Sequence, residues 1–187
     1  MKHTLLIITA LMLTIGYSQE TNIKPIDGNT LIIKVCLMYT SDSDKPYSGE
    51  AVWYYSNGQK EKEITYKDGK WDGKWTGWYE NGQKRVEETY KDGNADGAWT
   101  YWYENGQKRS EGTFKGVNRY GIPIKDGKWT DWYENGQKRT EITYKDGKWN
   151  GKWTEWHEKT GQKVSEKTYK DGIRIEWLRW DRDGNKK

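Results

Sequence analysis

The sequence predicts an all-β protein, an elongated, twisted single antiparallel sheet of stacked β-hairpin repeats in a meander. Three observations lead there. The stretch Trp78-Tyr79-Glu80-Asn81-Gly82-Gln83-Lys84-Arg85 returns at Trp102–Arg109 and Trp132–Arg139, with looser copies opening at Tyr54, Trp156 and Trp180. The leading aromatics therefore step by 24, 24, 30, 24 and 24 residues, and a fixed period of this size marks a repeat architecture. Asn-Gly pairs at 57–58, 81–82, 105–106 and 135–136 alternate with Asp-Gly at 68–69, 92–93 and 146–147. Asn-Gly is the strongest short-range hairpin signal, because a type I′ turn needs positive φ at both central residues. Finally, 13 Trp and 14 Tyr against a single Phe suit a thin aromatic core shared between many small units. Glycines and β-favouring aromatics interrupt every window in which a helix would have to form.

Residues 1–18 read as a cleavable signal peptide. Met1-Lys2-His3 is a short basic start, and Thr4 to Ile15 is an apolar run too short to span a bilayer, which takes about 20 residues. Gly16-Tyr17-Ser18 then places small residues where a signal peptidase reads, leaving Gln19 as the new N-terminus. Export to the periplasm, the outer surface or the medium follows. No Cys closely follows the apolar run, which argues against a lipid anchor.

Residues 19–46 form a leader in which turn signals at Asp27-Gly28 and Ser41–Pro46 bracket one apolar strand at about 30–39. That strand is expected to cap the exposed edge at the open end of the array. Cys36, the only cysteine, lies within it and is expected to be a buried structural thiol.

Residues 47–187 are the repeat array, about five hairpins plus a truncated terminal unit. If each hairpin closes on Asn-Gly, Trp78 faces Arg85, Thr76 faces Glu87 and Gly77 faces Val86. Side chains alternate along a strand. One face then gathers Trp75, Tyr79, Val86 and Tyr90 with their equivalents and is expected to be the core. The other gathers Thr76, Trp78, Arg85, Glu87 and Thr89, with each Arg lying over the Trp opposite it. The 30-residue step comes from an insertion at 116–124 that lengthens one inter-repeat turn. The fifth hairpin carries one extra residue at Glu158-Lys159-Thr160-Gly161, as a three-residue turn with a left-handed Gly would.

The unit Gly73-Lys74-Trp75-Thr76-Gly77-Trp78-Tyr79-Glu80-Asn81-Gly82-Gln83-Lys84, continued by Glu87-Glu88-Thr89-Tyr90-Lys91-Asp92-Gly93, resembles the bacterial variant of MORN repeats found in proteins labelled YwqK-family antitoxins. The resemblance covers about 47–187. It implies stacked hairpins acting as a scaffold for protein or lipid contacts, with no catalytic residues to carry over. An exported member of that kind would act as a periplasmic immunity protein. Trp53-Tyr54-Tyr55-Ser56-Asn57-Gly58 is also similar to choline- and glucan-binding repeats, which implies a carbohydrate- or cell-wall-binding module.

The function expected is therefore a non-catalytic, exported protein-interaction or envelope scaffold. Its binding face is expected to carry Trp78, Arg85, Trp102, Arg109, Trp132, Arg139 and Trp156, residue types favoured at binding hot spots. The partner expected is a protein, with a glycan or a membrane surface as further classes, and the oligomeric state stays open. The formal net charge of +4, with both signs interspersed, offers no clustered basic face for nucleic acid. Glu80, Glu104 and Glu134, like Glu87, Glu111 and Glu141, recur once per repeat, as structural positions do and an active site does not. No His/Cys/Asp cluster has metal-ligand spacing, no Gly-rich loop cradles a phosphate, and no cofactor is implied. His157, which could serve Cys36 as a base, occupies a slot that holds Tyr in the sister repeats.

Overall fold

The computed structural model describes residues 24–34 and 36–187. The expected signal peptide, 1–18, lies outside them. The chain enters through β1 (Ile26–Asp27), a 3₁₀ turn at Gly28–Thr30, β2 (Leu31–Lys34) and β3 (Leu37–Thr40). The array follows as β4 (Gly49–Tyr54), β5 (Lys60–Lys67), β6 (Lys70–Trp78), β7 (Lys84–Lys91), β8 (Asn94–Ala95) and β9 (Gly97–Trp102). It continues through β10 (Lys108–Val117), β11 (Pro123–Trp132), β12 (Lys138–Lys145), β13 (Lys148–Trp156), β14 (Lys163–Lys170) and β15 (Ile173–Arg179). Among the described residues there is no α-helix. One 13-stranded sheet holds β1 and β4–β15 in sequence order, with the short β8 pairing β7 off the main path. Every pairing within the array is antiparallel.

The two turn signals exchange roles relative to expectation. At the Asp-Gly sites both residues have positive φ, 49° and 77° at Asp68-Gly69 and 50° and 83° at Asp92-Gly93, and these are the turns of type I′ character. At Asn81-Gly82 only the glycine is left-handed, at 83°. Its amide donates to the Tyr79 carbonyl, the Tyr79 amide donates to the Gln83 carbonyl, and Asn81 Oδ1 accepts from the Gln83 amide. The loop is thus three residues long, with Gly in the αL position. The fifth hairpin is one residue longer, spanning His157 to Gln162 with Gly161 at 67°.

This turn geometry changes the register. Gly77 pairs with Val86 and Thr76 with Glu87, as the alternation predicts, but a bulge follows and Trp78 pairs with Lys84 instead of Arg85. The same shift separates Tyr101 from Trp102, Asp131 from Trp132 and Glu155 from Trp156 in their pairings with the next strand. Arg85, Arg109 and Arg139 are the extra residues at these bulges. The expected Trp78–Arg85 pair is not formed, because a bulge places two residues against one.

The leader also differs from expectation. Residues 30–39 do not make one strand; β2 and β3 pair as a separate two-stranded sheet joined through Cys36, whose φ is 63°. Cys36 is exposed, not buried. Capping is divided between two pieces. Ile26 and Asp27 pair in parallel with Ala51 and Val52 along the β4 edge. Leu31 and Met38 pack onto the cluster of Ala51, Ile64 and Tyr66, while Met38 exchanges backbone bonds with Gly69 and Tyr47.

With one sheet and nothing stacked over most of it, the core is a single layer of aromatics. Trp71 and Tyr90, Tyr90 and Trp99, Trp99 and Phe114, and Phe114 and Trp129 stand in sequence with ring centroids 4.6–5.6 Å apart. Such pairs contribute about 0.5–1.5 kcal/mol each beyond burial. The insertion at 116–124 does not form a loose loop. It extends β10 and β11 to 10 residues each and closes on Asn118, whose Oδ1 accepts from the amides of Tyr120 and Ile122. At the other end Trp180 pairs with Lys186, and Asp181–Asn185 repeats the Tyr79–Gln83 turn bond, so the last unit closes its own hairpin.

Candidate functional site

The two faces of the sheet do different work. One face carries the tryptophan ladder, and each rung has a lysine from the preceding repeat over its ring. Lys60 lies 5.5 Å from the Trp78 ring centroid, Lys84 5.7 Å from Trp102, Lys108 5.8 Å from Trp132 and Lys138 5.5 Å from Trp156. Each of these ammonium groups is also paired to a glutamate three residues on, as in Lys84–Glu87 at 2.7 Å and Lys138–Glu141 at 2.7 Å. A second lysine reaches the same carboxylate in Lys128–Glu141 (3.2 Å) and Lys152–Glu166 (2.8 Å). The Lys84 pair holds the Glu87 carboxyl below its ordinary range, and Lys152 followed by Lys163 does the same for Glu166. These contacts recur from repeat to repeat and cover the indoles. Trp78, Trp102, Trp132 and Trp156 are engaged by the array itself.

The arginines belong to the opposite, aromatic face. A Cβ at Gly77, which points to that face, would sit 3.3 Å from the Arg85 guanidinium. Arg109 and Arg139 line a groove of about 500 Å³ with Tyr101, Tyr103, Ser110, Asp131, Trp132, Thr140, Ile142 and Trp153. The bulges explain this placement. An extra residue restarts the alternation, so the residue before Val86, Ser110 or Thr140 leans to the same side as its neighbour. The seven residues expected to act together are therefore divided: the four indoles lie under lysines, while the three arginines lean toward the aromatic face, with Trp132 and Trp156 still bordering the grooves that Arg109 and Arg139 line.

Sequence reasoning also passed over the row that crosses the strands beside these arginines. Cα pairings run Gly77–Val86–Tyr101–Ser110–Asp131–Thr140–Glu155–Ser165–Arg179. Unlike the ladder, the row does not repeat: Gly77, Tyr101, Asp131, Glu155 and Arg179 hold equivalent places. Asp131 accepts from Ser110 Oγ and Thr140 Oγ1, both at 2.7 Å. Glu155 accepts from Ser165 Oγ at 2.5 Å and from Lys167 at 3.3 Å. The signal was available in the alignment of the repeats, as a column that varies between a fixed Thr and a fixed Trp.

Next to this row Glu88 is 4 % exposed and accepts from Tyr101 at 2.6 Å and Tyr90 at 2.7 Å. Burial pushes its carboxyl up, and the two hydroxyls and Arg85 pull it back in part. Both tyrosines are raised, first by burial and then by the carboxylate they serve. Where Trp99 and Trp129 donate their indole N–H to the Thr89 and Thr113 carbonyls, Trp75 and Trp153 have no partner. Those two are the ones with a second tryptophan, Trp71 or Trp149, against them. Among the described residues, no group of three His, Cys, Asp or Glu side chains could hold a metal ion.

The MORN repeat variant family model matches residues 47–68, 71–92, 95–115 and 125–146. Each stretch is one hairpin closed by Asn-Gly, and the chain is similar to that family over all four. The hairpin of β13 and β14 lies outside the match, yet keeps the Lys138–Trp156 and Lys163–Glu166 contacts of the same scheme. A search of curated proteins finds no match to the chain.

Proposed function

We propose that this repeat protein is a non-catalytic, exported scaffold that binds a protein partner across the face carrying Arg85, Arg109 and Arg139. One observation supports this reading above the rest. Among the described residues the ion pairs are made by lysines, and none of the three guanidiniums has a carboxylate within ion-pair distance. Exposed arginine set among tyrosine and tryptophan is the composition of interface hot spots. The tryptophan ladder serves stability in this reading, since lysines already occupy its rings. The recurrence of Glu80, Glu104 and Glu134, and of Glu87, Glu111 and Glu141, argues against catalysis at those positions.

Affinity capture from the native cell envelope tests the reading, comparing wild type with Arg85, Arg109 and Arg139 changed together to Ala. The partner is lost from the triple variant while the thermal midpoint holds; capture that persists overturns the reading. Export is tested by sequencing the N-terminus of the mature protein, which should begin at Gln19. A glycan is the second reading, favoured by Trp153 and Tyr101 standing beside the hydroxyl-bound Asp131. Tryptophan fluorescence that responds to no member of a broad glycan panel removes it. An immunity or antitoxin role in the YwqK manner is one form of the protein-binding reading, with a toxin as the captured partner.

A further inference from the structure

We propose that the arginine column seats an acidic polypeptide segment in the polyproline-II conformation, lying across the strands with its carboxylates three residues apart. The inference rests on the protein-binding reading above and names the chemistry of the partner.

The argument starts from spacing. Arg85, Arg109 and Arg139 sit on β7, β10 and β12, and one strand separates each from the next, β9 and then β11. Each immediately precedes a member of the same cross-strand row, Val86, Ser110 or Thr140, so the three stand in register. Strands lie about 4.8 Å apart, which spaces the guanidinium anchors by roughly 10 Å. An extended β-strand ligand fits this poorly. Its residues on one side recur every second position, at roughly 7 Å or 13 Å. A polyproline-II segment rises about 3.1 Å per residue with three residues per turn, so every third side chain returns to the same side after roughly 9 Å. That interval matches the column.

The groove agrees in charge and shape. It contains Arg109, Arg139 and Asp131, and both Asp131 oxygens are engaged by Ser110 and Thr140. The hydroxyls occupy the Asp131 oxygens without removing its charge, so the groove offers two guanidiniums against one carboxylate, a net positive charge. Arginine presents a planar fork suited to a carboxylate. Tyr101 and Tyr103 supply aromatic walls of the kind against which polyproline-II segments dock, while Trp153 beside them already has Lys167 4.6 Å over its ring. The column is also bounded. The same place in the first and fifth hairpins holds Glu61 and Val164, so the arginines are confined to three central repeats, while the turn and ladder residues run further. A position required by the fold would not stop there.

The test uses the full chain and synthetic peptides built of Glu-Pro-Pro triplets, read by tryptophan fluorescence and calorimetry. Controls are Gln-Pro-Pro triplets and a peptide of the same composition with its glutamates grouped together. Binding by the spaced Glu peptide should be about tenfold tighter than by either control, and should weaken about tenfold with each of R109A and R139A, as the loss of one charge-assisted pair implies. It should also weaken with added salt. Equal binding of the Gln or grouped peptides, no effect of the arginine variants, or binding only to phosphatidylglycerol vesicles overturns the proposal. If the peptides fail while envelope capture still requires the arginines, this inference falls and the protein-binding reading stands. If capture persists without the arginines, the reading itself falls.

Discussion

The Tyr79 hydroxyl donates to the main-chain carbonyl of Trp102, 2.8 Å away and 23 residues along the chain. The same bond joins Tyr55 to Trp78, Tyr103 to Trp132 and Tyr133 to Trp156. Beside it Asn81 Nδ2 donates to the Glu104 carbonyl at 3.0 Å, again with copies up and down the array. Each turn is thereby fastened to the turn of the next repeat. The recurring Trp-Tyr-Glu-Asn-Gly motif is what makes that fastening.

Tyr103→Phe removes one such bond and leaves the Trp132 carbonyl without it. The expected loss is about 1 kcal/mol, since a buried acceptor that loses its donor keeps its desolvation cost. A denaturant midpoint that falls for Tyr103→Phe but not for Tyr120→Phe, a residue 70 % exposed, bears this out; equal midpoints refute it.

Glycine at the turn answers to two demands that can be separated. Gly58 and Gly106 both have φ of 83°, where a side chain costs about 1–2 kcal/mol. Only at Gly106 would a Cβ also overlap Gln83 Oε1 of the preceding turn; nothing lies within 4 Å at Gly58. Gly106→Ala should therefore destabilise at least as much as Gly58→Ala in chemical denaturation, by the small added cost of moving the end of the Gln83 side chain, and the reverse order refutes the stacking.

Glu88 predicts a pH signature. Its folded carboxyl is raised above the ordinary 4.5, chiefly by burial, so the folded state holds that proton more tightly than the unfolded chain does. Its contribution is most favourable below the ordinary value and declines as pH rises through the window up to the raised folded value. Glu88→Gln does not titrate. Its stability relative to wild type should rise across that window and then level off. Glu87 and Glu166, held low by Lys84 and Lys152 respectively, act in the opposite sense and lose their contribution as pH falls. Parallel stability curves for wild type and Glu88→Gln would count against the buried carboxylate.

Cys36 is exposed at a left-handed position between β2 and β3. A maleimide should therefore label the native protein to completion without denaturant and with little change in thermal midpoint. Labelling only after unfolding would restore the buried thiol that the surrounding apolar run suggests.

The meander, the repeat boundaries and the aromatic face were legible in the sequence, because the glycine spacing and the alternation of Trp75, Val86 and Tyr90 carry them directly. The turn chemistry was less so. Asn-Gly fits both a two-residue and a three-residue loop, and only Asn81 accepting from Gln83 selects the longer one. That single residue of difference moves Arg85 from the side of Trp78 to the side of Glu88, and with it the candidate site. The leader misled for another reason. Leu31 to Tyr39 reads as one apolar run, but a turn at Cys36 folds it back, and β1, only two residues long, leaves no periodic trace.

The parallel pair of Ile26–Asp27 with Ala51–Val52 closes the first edge, while β15 stands last at the other. Between them the sheet acts as a ruler. Each repeat contributes two strands, so removing a whole 24-residue unit such as the one from Trp78 to Tyr101 should bring the ends closer by roughly 10 Å while the remaining fastenings close up unchanged. Distance between whatever is held at the two ends is then set by the number of repeats, in steps, and not by any single residue.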